Sequence, residues 1–264
     1  NETSTDTDNL LNNSSNNAIV IATQHDSHAK FILKALKAQK NVFVEKPLCI
    51  NLNEQLEIEE EYSKLSKNGL QPILMLGFNR RFAPHIKKIK SLLKNIIAPK
   101  SFIMTVNSLE VSSESWIYDQ KIGGGRIIGE VCHFIDLLRY LSGTQIKNYN
   151  CLKMKNSTSD TVAINLEFED GSIGSIHYYT NGHRSFPKER LEIFSQGRII
   201  QLDNFRKLKA YGWPGFNKMN LWRQDKGHKA CVKAFVDSIQ NGTVSPIPIE
   251  EIFEVSKISI DLNN

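Results

Sequence analysis

Residues 1–17 are rich in Asn, Ser, Thr and Asp, with only Leu10 and Leu11 to bury, and predict a weak helix or an unpacked lead-in. The pattern then changes. Ala18-Ile19-Val20-Ile21-Ala22 and Asn41-Val42-Phe43-Val44 are short apolar runs without alternation, as expected of parallel strands covered on both faces. Between them Phe31, Ile32, Ala35 and Leu36 recur at helical spacing behind Ser27, a residue type that caps helix N-termini. Strand, helix and strand in succession form a βαβ unit. A helix over residues 53–67, closed by Gly69, leads to a third apolar run, Ile73 to Gly77. Residues 1–78 are therefore expected to form a doubly wound parallel sheet of α/β type.

From residue 79 the spacing shifts, and residues 79–264 predict a second, α+β domain with a largely antiparallel sheet. A helix with Pro84 in its first turn precedes a strand of mixed facing, Phe102 to Val106. Gly123 to Leu141 reads as one helix after a glycine turn. Thr161 to Phe168 and Ser172 to Tyr179 alternate around Asp170-Gly171, a pair suited to a tight hairpin turn. Arg190 to Phe194 and Ile199 to Leu202 repeat the pattern around Gly197, and helices are expected at about 228–240 and 250–262. Ile164, Leu166, Ile173 and Ile176 suggest apolar positions on both alternations, so that both faces of this sheet are covered.

Composition narrows the classes. In 264 residues, 40% are hydrophobic and 23% charged, the balance of an ordinary globular chain. The net charge of +5 is dispersed, and Lys87, Lys88 and Lys90 read as one solvated helix face, so nucleic acid is not indicated. Cys49, Cys132, Cys151 and Cys231 lie far apart without a CxxC pair, which points away from a metal site or a disulfide framework and toward a reducing cytoplasm. No apolar run approaches the ~20 residues of a membrane span, and the start has no signal-peptide pattern. Triplets such as Asn156-Ser157-Thr158 are then chance occurrences.

In open α/β sheets ligands bind beyond the carboxyl ends of the strands. Thr23-Gln24-His25-Asp26-Ser27-His28 follows the first strand and Glu45-Lys46-Pro47 the second. His28 there either satisfies backbone at a helix start or touches a ligand. Lys46 stands where a substrate-facing acid or base would sit. A second group lies on the glycine-led helix, where Glu130, His133 and Asp136 recur at i, i+3 and i+6, two carboxylates flanking an imidazole as in a tuned general base.

These segments, together with Gly77-Phe78-Asn79-Arg80-Arg81-Phe82-Ala83-Pro84 and the run from Gly123-Gly124-Gly125 to His133-Phe134-Ile135-Asp136, resemble the Gfo/Idh/MocA oxidoreductases, relatives of glucose-fructose oxidoreductase and inositol dehydrogenase. The likeness implies a Rossmann-like first domain, NAD or NADP as cofactor, and a sugar-like substrate. It implies cofactor contacts from Ala22, Thr23, His25, His28, Glu45, Lys46, Pro47, Asn79 and Arg80, and substrate contacts from Lys46, Arg126, His133 and Asp136. His133 and Lys46 match the family's catalytic pair, with Glu130 as a candidate helper, and a homodimer through the antiparallel sheet is implied. Residues 185–190, 201–208 and 222–227 resemble a branch often fused behind a zinc-type alcohol dehydrogenase domain in bacterial polysaccharide biosynthesis.

Two departures from the family pattern stand out. Many members carry Asp four residues before the catalytic histidine, where this chain has Gly129. They also open with a strand and GxGxxG that are not seen here, so the chain is expected to be part of a longer polypeptide, binding cofactor poorly alone. The competing expectation is a non-catalytic scaffolding or dimerisation module.

Overall fold

A computed structural model describes every residue except 1, 2, 4, 156 and 157, so Asn156 and Ser157 of the triplet lie outside the described residues. A short helix α1 (Thr7–Asn12), capped by the Asp6 carboxylate, precedes β1 (Ala18–Ile21), α2 (His28–Lys37), β2 (Asn41–Val44), α3 (Leu52–Lys67) and β3 (Leu74–Leu76). The three strands pair in parallel in the order β1-β2-β3. Val42, Val44 and Leu74 to Leu76 are almost fully enclosed, as runs without alternation require of a sheet covered on both faces. The Asn51 side chain caps α3 by accepting from the Glu54 amide at 3.0 Å.

After a 3₁₀ turn at Asn79–Phe82 come α4 (Pro84–Leu93), β4 (Ser101–Asn107), α5 (Cys132–Ser142) and the strands β5 (Ile146–Lys153), β6 (Val162–Phe168), β7 (Ile173–Tyr179), β8 (Glu189–Ser195), β9 (Arg198–Asp203), β10 (Lys207–Tyr211) and β11 (Lys218–Asn220). These form one eight-stranded sheet in the order β11-β10-β9-β8-β4-β7-β6-β5. All neighbours are antiparallel except β4 and β7, so the sheet is mixed and mostly antiparallel. Gly171, at φ +79°, supplies the left-handed residue of the β6–β7 turn.

The chain then returns to its first half. In α6 (His228–Asn241), Phe235 meets Phe43 of β2 with ring centres 5.6 Å apart. In α7 (Ile249–Asn263), the Phe253 carbonyl accepts from Gln55 of α3 at 3.0 Å. The apolar core is consequently continuous across residue 78, and both parts of the molecule share one buried cluster.

Two expectations need correction. The helix expected over 123–141 begins with a glycine turn, in which Gly124 and Gly125 have positive φ, followed by a π-helical turn at Ile127–Val131; regular α-helix starts only at Cys132. Of the four residues named for both alternations, only one is on the outer face, and it is uncovered. Ile164, Leu166 and Ile176 share the buried face, and only Ile173 lies outside, 56% exposed. No helix among the described residues is long and apolar enough to cross a membrane.

Candidate functional site

Lys46 lies just past the carboxyl end of β2, and its Nζ crosses to the second half of the molecule to donate to the Gly129 carbonyl at 2.7 Å. Gly129 is in the π-helical turn, four residues before His133. Arg80, in the turn after β3, lies over the Phe134 ring at 4.8 Å and forks onto the Glu189 carboxylate through Nε at 2.9 Å and Nη2 at 2.8 Å. Lys226 donates to the same carboxylate at 2.6 Å, while its carbonyl accepts from Asn79 Nδ2 at 2.7 Å. The segment before α6 is thereby tied to the turn after β3, and four parts of the sequence converge around His133.

His133 is 6% exposed and packs edge-on to Phe78. Its Nδ1 is enclosed without a hydrogen-bond partner. Burial, reinforced by the positive charge of Arg80, Lys46 and Lys226, holds the imidazole well below its ordinary pKa, so it is neutral at physiological pH. The expected flanking carboxylates are absent, which corrects the sequence reading. Asp136 is fully enclosed and grips Arg81 Nε with both oxygens at 2.8 and 2.9 Å; Glu251 shares that guanidinium. Burial pushes the Asp136 carboxyl up to about 6, which leaves it ionised against Arg81 at neutral pH. It therefore cannot face a substrate as expected.

Glu130 also turns away from His133. Its carboxylate accepts from Arg126 at 2.9 Å, Lys188 at 2.8 Å, Ser108 and the Tyr178 hydroxyl. Although burial opposes ionisation, Lys188 and these hydrogen bonds hold the carboxyl far below the usual range. Arg126, expected at the substrate, is 5% exposed and bonds Glu130, Ser108, Asp160 and the Leu109 carbonyl. The four-partner cluster therefore forms the wall beside the cleft, with Lys188 as its half-exposed outer member.

At the end of β1, Ala22 and Thr23 are exposed, and the Thr23 hydroxyl contacts Ser27 Oγ at 2.5 Å. His28 resolves in favour of the backbone: it is fully enclosed, with Nδ1 2.7 Å from the Pro47 carbonyl and Nε2 3.1 Å from that of Thr23. It holds the loops after β1 and β2 together and reaches no ligand, which corrects its expected cofactor contact. Glu45 packs beside Gly77, where a Cβ would fall 2.9 Å from its Oε2. His25, by contrast, comes to the cleft. Its Nδ1–H donates to the Gly123 carbonyl at 2.7 Å, and Trp116 stands edge-on at 4.9 Å.

Sequence reasoning missed Glu189, Lys226, His228, Tyr178, Ser108 and Trp116. For Glu189 and Tyr178 a signal existed. Glu189 is in phase with the buried Leu191 and Ile193, and Tyr178 with Ile176, so alternation alone aims both at the core. Ser108 and Lys226 come from loops, Trp116 from a 3₁₀ turn and His228 from the first position of α6, none of them in an alternating run.

Two family models match, one for an oxidoreductase family with an NAD-binding Rossmann fold over residues 1–71 and one for the GFO/IDH/MocA C-terminal domain over residues 100–200. The chain belongs to the Gfo/Idh/MocA family. Among relatives of this family, myo-inositol 2-dehydrogenase of Thermotoga maritima is 28% identical over 207 residues, 75% of this chain and 60% of that protein. Inositol 2-dehydrogenase of Rhizobium meliloti is 28% identical over 244 residues, covering 85% of this chain and 71% of the relative. The match to the Thermotoga enzyme thus spans about three fifths of its length. In structure, levoglucosan dehydrogenase in complex with NADH is similar at a TM-score of 0.82 and 19% identity, over 98% of this chain and 79% of that one. The fold is therefore the Gfo/Idh/MocA arrangement of a Rossmann-like parallel sheet followed by a mixed one.

Proposed function

We propose that this chain carries the reaction cleft of a nicotinamide-dependent dehydrogenase acting on a sugar or cyclic polyol. The observation that carries the reading is Lys46: it leaves the cofactor-type sheet and bonds the Gly129 carbonyl, four residues from His133 on the other half of the molecule. The matched NAD-binding model and the inositol dehydrogenase relatives support the same chemistry. The enzyme reading is favoured over a scaffolding module, because a scaffold has no use for an enclosed neutral imidazole surrounded by cations.

The residues at the cleft fit the nicotinamide end of NAD or NADP: exposed Ala22 and Thr23 lie beyond β1, and Lys46 and His25 line the opening. The cofactor, when bound, supplies hydride acceptance. The Lys46 ammonium is placed to polarise a substrate oxygen. His133, neutral and therefore able to take a proton, exchanges the hydroxyl proton. Because Nδ1 has no acceptor and the cations Arg80, Lys46 and Lys226 lie near, the imidazolium is disfavoured, and it releases the proton to solvent water.

The likeness of residues 185–190, 201–208 and 222–227 to the polysaccharide branch supports a nucleotide-sugar as one substrate class and a fusion with a zinc-type dehydrogenase domain. The outer face of the mixed sheet leaves Ile103, Ile173, Tyr179, Phe194 and Tyr211 at least a third exposed, which supports a homodimer through that face. The direct test incubates the full-length protein that carries this chain with NAD or NADP and myo-inositol, glucose or UDP-N-acetylglucosamine, following reduced nicotinamide by absorbance. Turnover that depends on both Lys46 and His133 is expected. Cofactor binding without turnover on any of these classes would reject the substrate assignment.

A further inference from the structure

Gly129 has no positive φ, so its backbone would accept an ordinary side chain. What excludes one is a neighbour: a Cβ at this position would sit 2.8 Å from Cε1 of His25, closer than contact allows. The glycine makes room for an imidazole. That ring is held on three sides, by the Nδ1 hydrogen bond to Gly123, by the edge-on Trp116 at 4.9 Å, and by the Gly129 backbone itself.

The hydrogen bond settles the tautomer. A carbonyl oxygen only accepts, so Nδ1 carries the proton and Nε2 presents a lone pair. Nε2 has no partner among the described residues and is not one of the enclosed unpartnered atoms, so it keeps some access to solvent although the residue as a whole is only 7% exposed. The ring stays neutral. Burial is the main cause; the Gly123 hydrogen bond and Asp26 oppose it, the Lys46 charge adds to it, and the pKa comes down to about 4. Lys46 and His25 thus meet the same residue, the cation on the Gly129 carbonyl and the ring against its Cα.

We propose that His25 Nε2 is a fixed, neutral hydrogen-bond acceptor for an O–H or N–H donor on the ligand in the cleft, and that Gly129 exists to admit it. This rests on the dehydrogenase reading above. Beside the Lys46 donor it gives the cleft a donor–acceptor pair of opposite sense, which distinguishes a hydroxyl or amide from a carboxylate or phosphate. The donor has two sources, the carboxamide N–H of the nicotinamide and a hydroxyl of the polyol.

The test has an arm for each. On the unsubstituted chain, affinity is compared for NADH and for its 3-acetylpyridine analogue, which lacks the amide donor; inositol is compared with its monodeoxy analogues in the presence of cofactor. His25→Phe keeps a ring but removes the acceptor, and Gly129→Ala displaces the ring. Both should weaken the donor-bearing probe roughly tenfold, as for one lost hydrogen bond, and leave the donor-free analogue unchanged. Long-range proton–nitrogen spectra of histidine-labelled protein should show the Nδ1–H tautomer without titration between about pH 5 and 8. An Nε2–H tautomer, or parental affinity of both variants for both probes, overturns the inference while the dehydrogenase reading stands. If the full-length protein that carries this chain binds neither NADH nor inositol, that reading falls and the inference with it.

Discussion

Arg80→Met probes how the cleft is charged. Arg80 and Glu189 form a forked ion pair whose side chains are 7% and 0% exposed, with Lys226 as a second cation on the carboxylate. Although burial works against ionisation, the hydrogen bonds and charge of Arg80 hold Glu189 below its ordinary pKa. Methionine preserves much of the apolar contact over Phe134 but leaves the buried carboxylate half-compensated. Removing one partner of a buried pair costs about 3–5 kcal/mol, and because Lys226 remains, the low end applies, about 3 kcal/mol. For a chain of this size that lowers the melting temperature by roughly 6–12 °C. Removing both charges in Arg80→Met/Glu189→Leu should cost less than the single change, since Lys226 can turn its ammonium to water. Urea denaturation of parent, both single variants and the double variant gives the coupling directly. Additive single losses, or a loss under about 1 kcal/mol for Arg80→Met, would refute the reasoning. A second readout tests the electrostatics: Arg80 is the foremost charge lowering the His133 pKa, so Arg80→Met should move that imidazole upward in a histidine titration by NMR.

Lys46→Ala and His133→Ala should each lower turnover by ~10²–10⁴-fold with cofactor affinity nearly unchanged; near-parental rates in both would remove these residues from the chemistry. Glu130→Gln should cost stability more than turnover, because its carboxylate holds Arg126 and Lys188 and not His133; a loss of rate equal to that of His133→Ala would contradict this. His25 titrates at about 4 when folded against 6.5 when unfolded, so its contribution to stability is full above about pH 6.5 and is lost as pH falls toward 4. The size is about 3 kcal/mol at most, and a His25→Asn variant with the parental pH slope in urea midpoints would count against it. Ile173→Lys on the outer sheet face should convert a dimer to monomer by light scattering, and a parent that is monomeric at all concentrations would dismiss that interface.

Much of the fold was legible because local spacing and tertiary environment agree. The runs at 41–44 and 74–76 lack alternation because they are covered on both faces, whereas 18–21 is an edge strand of that sheet and leaves Val20 67% exposed; Asp170-Gly171 marks its turn through a backbone requirement that glycine meets. Strand β5 was not legible, since it lies at the sheet edge with no fully buried residue, and β11 is a short edge piece of the same kind; β10, inside it, is short but alternates, with Leu208 and Ala210 buried. The candidate site divides in the same way. Lys46 and His133 could be found from position, but their surroundings could not, because helical spacing was applied to a segment that opens with a π-helical turn. Even on a regular helix, residues three apart are rotated by about 60°, so Glu130 and Asp136 would lie about 120° apart and could not both face one imidazole. One descends to the Ser108 and Tyr178 wall and the other to Arg81. The more informative signal was a charge in the wrong phase. Glu189 stands two residues before Leu191 and four before Ile193, on the alternation that faces the core, and a carboxylate placed there requires a buried cation. That demand predicts Arg80 or its equivalent without naming it, and it ties the second sheet to the turn after β3, where the cleft is formed.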